Sequence, residues 1–460
     1  MSSETQKQSK RISPAWLLLG VGVLMGVGIA VATRLPKDTA PRSSWVPLIN
    51  ETLAPYEQIA MAKTQGGSVV DNMIRKYQRR IYALRKKPGL WTLLGQWWIR
   101  KARSTSEMAY YKNAEACIKV AQGLAPGYIG ALNLQGLIHI QRHEFKKAIK
   151  VAKTILAKRK DDAMAWGTLS DAHLERGEYK QAADAVEKMS AIKPNLASYI
   201  RASYLMWIRG EFYQAKKLVE HAYDAGRGQR DREPIAWVLS EGAKLYWYIG
   251  NLKEAEEGYS MSLQYKPDYP PALVGKAQIA MAKGNPKLAI TLLQNAYNQR
   301  PLAHTAWLLG DAKQMAGDKK GASKAYAIVE KLGEDDRRVL ALFYATKNIK
   351  LGKALKLIRE EYKVRADIYT EDVIAWLMFR LGKHKEALRR INRATIHGTK
   401  DPMLFYHKAA IYAANGKTEE SKKLIAFAVK LNANFDMTGG REAQQLYKKL
   451  VGSTKPKSTK

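Results

Sequence analysis

Of the eight histidines, only His139 and His143 stand at the i, i+4 spacing that turns two imidazoles to one face of a helix. The segment between them reads HIQRH, without the glutamate that activates water in helix-borne zinc hydrolases. Both histidines are read as structural, with His143 at a turn. Glu254, Glu256 and Glu257 cluster in sequence but read as solvated charges on a helix beside a turn. The chain has no G-x-x-x-x-G-K-S/T, G-x-G-x-x-G or G-x-S-x-G segment, so phosphate cradles and hydrolase elbows have no support. Cys117 is the only cysteine, which rules out an intramolecular disulfide and a cysteine-based zinc site. The expectation is a protein with no catalytic residue, no metal, no cofactor and no small-molecule substrate.

What the residue types do specify is a scaffold. The stretch Ala163–Pro194 reads as two helices joined by a turn at Gly177. Trp166, Leu169, Ser170 and His173 mark one face of the first helix. Tyr179, Ala182, Val186 and Met189 mark the second, and Pro194 closes the unit. The small residue of the second helix recurs as Ala114, Ala148, Ala182, Ala215, Ala255, Ala289, Ala322, Ala354, Ala387 and Ser421, at intervals of 32 to 40 residues. Gly177, Gly210, Gly250, Gly284, Gly317, Gly382 and Gly416 each stand five residues before theirs. Pro126, Pro194, Pro267 and Pro301 stand twelve after. A small residue lets two helices approach, glycine permits the tight turn and proline ends the second helix. The architecture expected is an all-α solenoid of about ten helical hairpins.

On these residues the chain resembles the tetratricopeptide-repeat (TPR) family, whose pattern W-x2-L-G-x2-Y…G-x-Y/F-x2-A…P is carried best by Trp166, Leu169, Gly177, Tyr179, Ala182 and Pro194. Ser170 and His173 depart from the pattern's glycine and tyrosine, His139 replaces a core aromatic, and the repeat around Leu351 to Ile358 is degenerate. The resemblance spans residues 90–435. It implies that first helices line a concave wall, which Tyr204, Trp207, Trp237, Lys244, Trp247, Tyr248, Trp307, Asp311, Trp376, Phe379 and Arg380 would occupy. Such rings either form a groove for a peptide or partner helix, or pack between adjacent repeats. A carboxylate clamp for chaperone tails would need Lys and Asn where Gly167 and Asp171 stand, so that specialisation is not indicated.

Two irregularities interrupt the period. Trp91, Trp97 and Trp98 belong to a lengthened first helix that would cap the open end of the stack. Six extra residues near 226–234 make a basic loop whose Arg227, Arg230 and Arg232 either are simply solvated or touch an anionic surface. Asp71–Lys87 reads as one basic amphipathic helix within a lead-in at 58–89, residues 436–451 as a capping helix, and 452–460 as a disordered basic tail.

Residues 1–14 form a basic head. The uncharged run Ala15–Ala32 within 15–33 can just span a hydrocarbon core as a helix. Its length favours a retained anchor over a signal peptide cut after Ala30-Val31-Ala32. The proline-containing 34–57 then reads as a spacer. Basic residues flank the run on both sides, so orientation is open, with export to a bacterial periplasm preferred over a cytoplasmic array. A net charge of +35, spread along the chain, favours anionic partners in general, but without a focused stripe or a recognition module nucleic acid is disfavoured. The function expected is a membrane-tethered scaffold with a protein or peptide partner in its groove. The alternatives are a polyanion-binding module, or an accessory subunit of an envelope assembly or secretion complex. Anchored TPR proteins of lipopolysaccharide assembly control are similar in anchor and repeats, but the single cysteine cannot supply their metal ribbon.

Overall fold

A computed structural model describes residues 53–452 apart from 65, 106 and 230. The head, the anchor segment 15–33, most of the spacer, the last eight residues and Arg230 lie outside the described residues. Among those described there are 23 helices and no strand.

Two helices lead in: α1 (Pro55–Ala60) and α2 (Val69–Ala83). Ten hairpins follow. Repeats 1 to 5 are α3 (Pro88–Thr105) with α4 (Tyr110–Leu124), α5 (Ile129–Gln141) with α6 (Phe145–Lys158), α7 (Ala163–Glu175) with α8 (Tyr179–Ile192), α9 (Leu196–Ile208) with α10 (Phe212–Gly226), and α11 (Glu233–Tyr248) with α12 (Leu252–Tyr265). Repeats 6 to 10 are α13 (Pro270–Ala282) with α14 (Pro286–Gln299), α15 (Ala303–Met315) with α16 (Lys319–Leu332), α17 (Arg337–Lys347) with α18 (Leu351–Tyr362), α19 (Ile368–Arg380) with α20 (His384–Ala394), and α21 (Pro402–Ala414) with α22 (Thr418–Asn432). Helix α23 (Gly439–Val451) closes the array.

The hairpins form for the reasons the sequence carries. All ten small residues of the second helices are fully or almost fully buried, at 1% exposure or less, because only a small side chain fits where two helix axes come closest. Side chains of Asp162, Asn195, Asp318, Asp336, Asp367 and Asp401 accept backbone N–H groups at the first turns of α7, α9, α16, α17, α19 and α21, satisfying donors that a helix leaves open. The degenerate eighth repeat turns through left-handed Asn348 and Lys350 in place of a glycine. At the open end, α3 is longer than the other first helices. Its Trp91 and Trp98 are wholly buried, donating to Arg85 O at 2.8 Å and Ala60 O at 2.9 Å.

The solenoid coils until it meets itself. The connector before repeat 9 reaches the turn of repeat 3: Ala366 N donates to Glu175 O at 3.1 Å, Ile368 N to Tyr179 Oη at 2.9 Å, and Arg365 pairs with Glu175 at 2.5 Å. The connector before repeat 10 reaches the turn of repeat 4, where Thr399 Oγ1 donates to Ile208 O at 2.6 Å. The end of α22 reaches the turn of repeat 5, where Asn432 Nδ2 donates to Trp247 O at 2.7 Å. Each rung joins the turn of one repeat to chain at or just after the end of the fifth repeat beyond it (3 with 8, 4 with 9, 5 with 10), a ladder of three rungs.

The turn glycines divide along that ladder. Gly177, Gly210 and Gly250 are left-handed, with φ of 72 to 74°. A Cβ on each would lie 2.4, 2.2 and 2.2 Å from the carbonyl oxygens of Ala366, Gly398 and Leu431. Gly284, Gly317, Gly382 and Gly416 share the backbone conformation, yet a Cβ there would meet nothing within 4 Å. In repeat 2 the equivalent place is taken by left-handed His143, whose Nε2 accepts from Arg365 at 3.1 Å.

Candidate functional site

The rings expected on the inner wall are mostly committed to packing. Trp207 is wholly buried, stacked on Tyr248 with centroids 4.9 Å apart, and its Nε1 donates to Tyr369 Oη at 3.3 Å. Trp247 is 3% exposed, and Trp237 and Trp307 are 7% exposed. Trp307 meets Phe343 edge-on at 5.4 Å. Trp376 lies between Phe379 at 4.9 Å and His407 at 4.0 Å, with the Arg380 guanidinium 4.5 Å from its centroid. One cause is specific to this chain. Tyr369 and Leu404, from the first helices of repeats 9 and 10, join the hydrophobic core of repeats 4 and 5, so the far coil covers what would be an open aromatic groove.

The polar positions are similarly engaged. Asp171 is held by Arg201 through two 2.7 Å contacts. Asp311 accepts from Tyr326 Oη at 2.6 Å and Lys347 Nζ at 2.7 Å. Arg380 pairs with Glu442 of α23 at 2.6 Å.

A smaller set keeps partial access to solvent: Tyr204, Glu241, Lys244, Tyr248 and Phe379, with His304 open. Burial and neighbouring charges shift the titratable members of this set. Burial pushes the Glu241 carboxyl up, against the pull of nearby Lys244. Burial pushes Lys244 down, opposed by Glu241 and Asp401. His304 falls to about 4 through burial, with Lys244 adding to the effect. Burial likewise holds the Tyr204 and Tyr248 phenols far above their ordinary range, so both remain neutral donors and acceptors. The wall offers hydroxyls, one carboxyl, one amine and one imidazole on the first helices α9, α11 and α15. That set suits hydrogen bonding to a polar chain. Sequence reasoning missed Glu241 and His304, although their positions on α11 and α15 beside Lys244 and Trp307 were available as a signal.

The histidine pair separates in use. His139 Nδ1 lies 2.6 Å from Glu144, while burial and Arg365 hold His143 down at about 3, keeping it a neutral acceptor. Among the described residues no group of three or more His, Cys, Asp or Glu could hold a metal ion. Cys117 is buried, which pushes its thiol up. In the basic loop, Arg227 and Arg232 are exposed; Arg227 lies 3.6 Å from Asp224, and the Arg232 guanidinium stands 5.5 Å from the Tyr265 ring. The loop's acids, Asp231 and Glu233, turn inward to Arg100 of repeat 1 at 2.8 and 3.3 Å.

The tetratricopeptide-repeat family profile matches residues 139–204. That stretch, from the end of α5 to the middle of α9, therefore carries the tetratricopeptide-repeat pattern within an all-α helical repeat solenoid. No curated protein sequence matches it. Among solved structures, the Cut9–Hcn1 hetero-tetramer of the APC/C is 14% identical, covering 84% of this chain and 97% of that one, with a TM-score of 0.36. Pseudomonas aeruginosa PilF is 15% identical over 44% of this chain and 91% of that one, at 0.38. IFIT1 bound to Gppp-AAAA is 12% identical over 74% and 80%, at 0.44. At such scores the likeness carries no functional argument.

Proposed function

We propose that this chain is a non-catalytic scaffold, tethered to a bacterial inner membrane through residues 15–33, whose array recruits a protein partner on the periplasmic side. The observation that carries the binding part is the solvent-accessible polar strip of Tyr204, Glu241, Lys244, Tyr248 and His304 on first helices α9, α11 and α15. Polar groups placed on an otherwise apolar wall fix a partner's orientation and supply specificity. The tether rests on the uncharged run alone. Among the described residues no helix is long and apolar enough to cross a membrane.

Replacing His304 with a photo-crosslinking residue in the full chain tests the wall. A protein adduct is expected at this position and not at Lys153, which faces outward on α6. Equal adducts at both positions, or none at either, would sink the reading.

A second reading has its own observation. On α6, Lys146, Lys147, Lys150, Lys153 and Lys158 are all exposed and the helix has no acidic residue, a surface suited to a polyanion. That reading requires affinity for an acidic polymer to fall about 10³-fold between 50 and 200 mM salt. An accessory role in an envelope assembly or secretion complex is the first reading with its partner specified, and the identity of the crosslinked protein decides it.

A further inference from the structure

The lead-in segment carries a charge arrangement that the repeat architecture does not require. Its two acids are withdrawn into the fold: Glu57 pairs with Arg85 at 2.7 Å, and Asp71, 1% exposed, pairs with Lys101 at 2.9 Å. Helix α2 buries Asp71, Ile74, Gln78 and Ile81 against the array. Its opposite face presents Val69, Asn72, Lys76, Arg79 and Ala83, while Tyr82 is exposed beside the buried stripe in the last turn and exposed Leu84, Lys86 and Lys87 follow. Val69 is 74% exposed and Tyr82 40%. No exposed acid lies between residues 53 and 89. A face whose only charges are positive, with Val69 at one end and exposed Tyr82 and Leu84 at the other, fits the boundary between lipid headgroups and acyl chains.

Position in the chain selects the occupant. Only residues 33–54 separate the uncharged run from α1, a tether of at most roughly 75 Å when fully extended. The N-terminal end of the array is therefore the end nearest any bilayer that holds the run. We propose that the outward face of α2 with Lys86 and Lys87 docks on an anionic lipid surface and orients the solenoid end-on to the membrane. This rests on the tethering reading for its geometry, though the face can bind lipid without it. Docking leaves the far repeats and the polar wall turned away from the lipid. Each Lys or Arg near such a surface contributes about fivefold to the ratio of docked to undocked face.

The test uses the full chain with Cys117→Ala and Ala83→Cys, an environment-sensitive dye on the new thiol, and two vesicle types: phosphatidylcholine alone, and phosphatidylcholine with added phosphatidylglycerol. Flotation reports the anchor and dye emission reports the face. A blue shift is expected only with phosphatidylglycerol, reversed by salt, and abolished in a K76E/R79E/K86E/K87E variant that still floats with both vesicles. The milder K76Q/R79Q variant keeps the test informative if reversal disturbs folding, and should lower the docked ratio about 25-fold. A shift of equal size in both vesicle types, in neither, or in the charge-reversed chain overturns the proposal. If the chain fails to float with phosphatidylcholine yet binds phosphatidylglycerol vesicles in a salt-sensitive way, the tether falls and the docking face stands.

Discussion

Two groups of turns in this molecule share a residue, a backbone angle and a place in the repeat, yet differ in consequence. Gly284, Gly317, Gly382 and Gly416 satisfy only the local demand for a left-handed residue. Gly177, Gly210 and Gly250 satisfy it too, and in addition admit backbone from at or just after the end of the fifth repeat beyond their own. The same motif position is thus a hinge detail in one region and a docking surface in the other. Nearest-neighbour stacking accounts for the stability of the open turns. The three closed turns add contacts between residues far apart in sequence, which nearest-neighbour stacking leaves out.

The largest effect that tests this difference comes from charge. Arg365 joins the Glu175 carboxylate, the Glu361 carboxylate and the His143 imidazole across the first rung, and burial already presses the Glu175 carboxyl upward. Arg365→Ala strands that carboxylate and should cost about 3–5 kcal/mol in chemical unfolding. Lys283→Ala removes the Lys283–Glu256 pair beside open Gly284 and should cost about 0–1 kcal/mol. Equal losses would erase the distinction. Next come the glycines themselves. Gly284→Ala carries only left-handed strain of about 1–2 kcal/mol. Gly210→Ala adds overpacking against Gly398 O, about 1–3 kcal/mol more. The triple change at Gly177, Gly210 and Gly250 should also raise the radius of gyration in small-angle scattering, whereas alanines at Gly284, Gly317 and Gly416 should not.

Much of this was legible in the sequence, and the part that was not has a physical cause. Ala114 through Ser421 announced ten hairpins because close helix packing demands a small side chain at one fixed place in every unit. Trp207 and Trp376 were assignable to first helices by the same spacing. Whether those rings would meet water was not assignable, since that depends on Tyr369 and Leu404 arriving from about one superhelical turn away. The pitch that brings them there sums small rotations at every interface, and no local pattern encodes the sum. Gly210 carried a double meaning of which only the local half could be read. The grouping of Glu241 with His304 was hidden for the same reason: which side chains share a wall is a property of the coil, not of the hairpin.

The second rung should also respond to pH. Asp401 caps α21 by accepting from Met403 N at 2.9 Å, and burial, with Asp372 nearby, raises its carboxyl to about 7. A folded-state value above the unfolded one means that the folded chain holds the extra proton. Stability is then fullest below about 4, falls as pH rises, and the loss is complete once pH passes about 7. Asn keeps the cap without the charge, so Asp401→Asn should match the natural chain near pH 4 and exceed it at pH 8. About 1.4 kcal/mol is at stake for each pH unit crossed. His143 acts in the opposite direction: held at about 3 when folded, it lowers stability as pH falls below about 6.5. Identical unfolding curves for the Asn variant and the natural chain at pH 8 would remove Asp401 from the account.

The smallest effect is the finest probe of the comparison, because it changes one hydrogen bond and little else. Thr399 Oγ1, buried in the second rung, donates to Ile208 O at 2.6 Å, a carbonyl near the end of α9 that has few other donors within reach. Thr291 on α14 makes a bond of the same type, 3.2 Å to Lys287 O, but within its own exposed helix. Valine at either place keeps the volume and removes the hydroxyl. At Thr291 water replaces what is lost, and the change should stay within about 0.5 kcal/mol. At Thr399 the carbonyl is left desolvated, and the cost should reach about 1–3 kcal/mol. Amide exchange should localise that cost, with protection falling together in the last turn of α9 and the first turn of α21. A drop confined to α21 would mean that the rung holds only the connector and does not couple repeats 4 and 10.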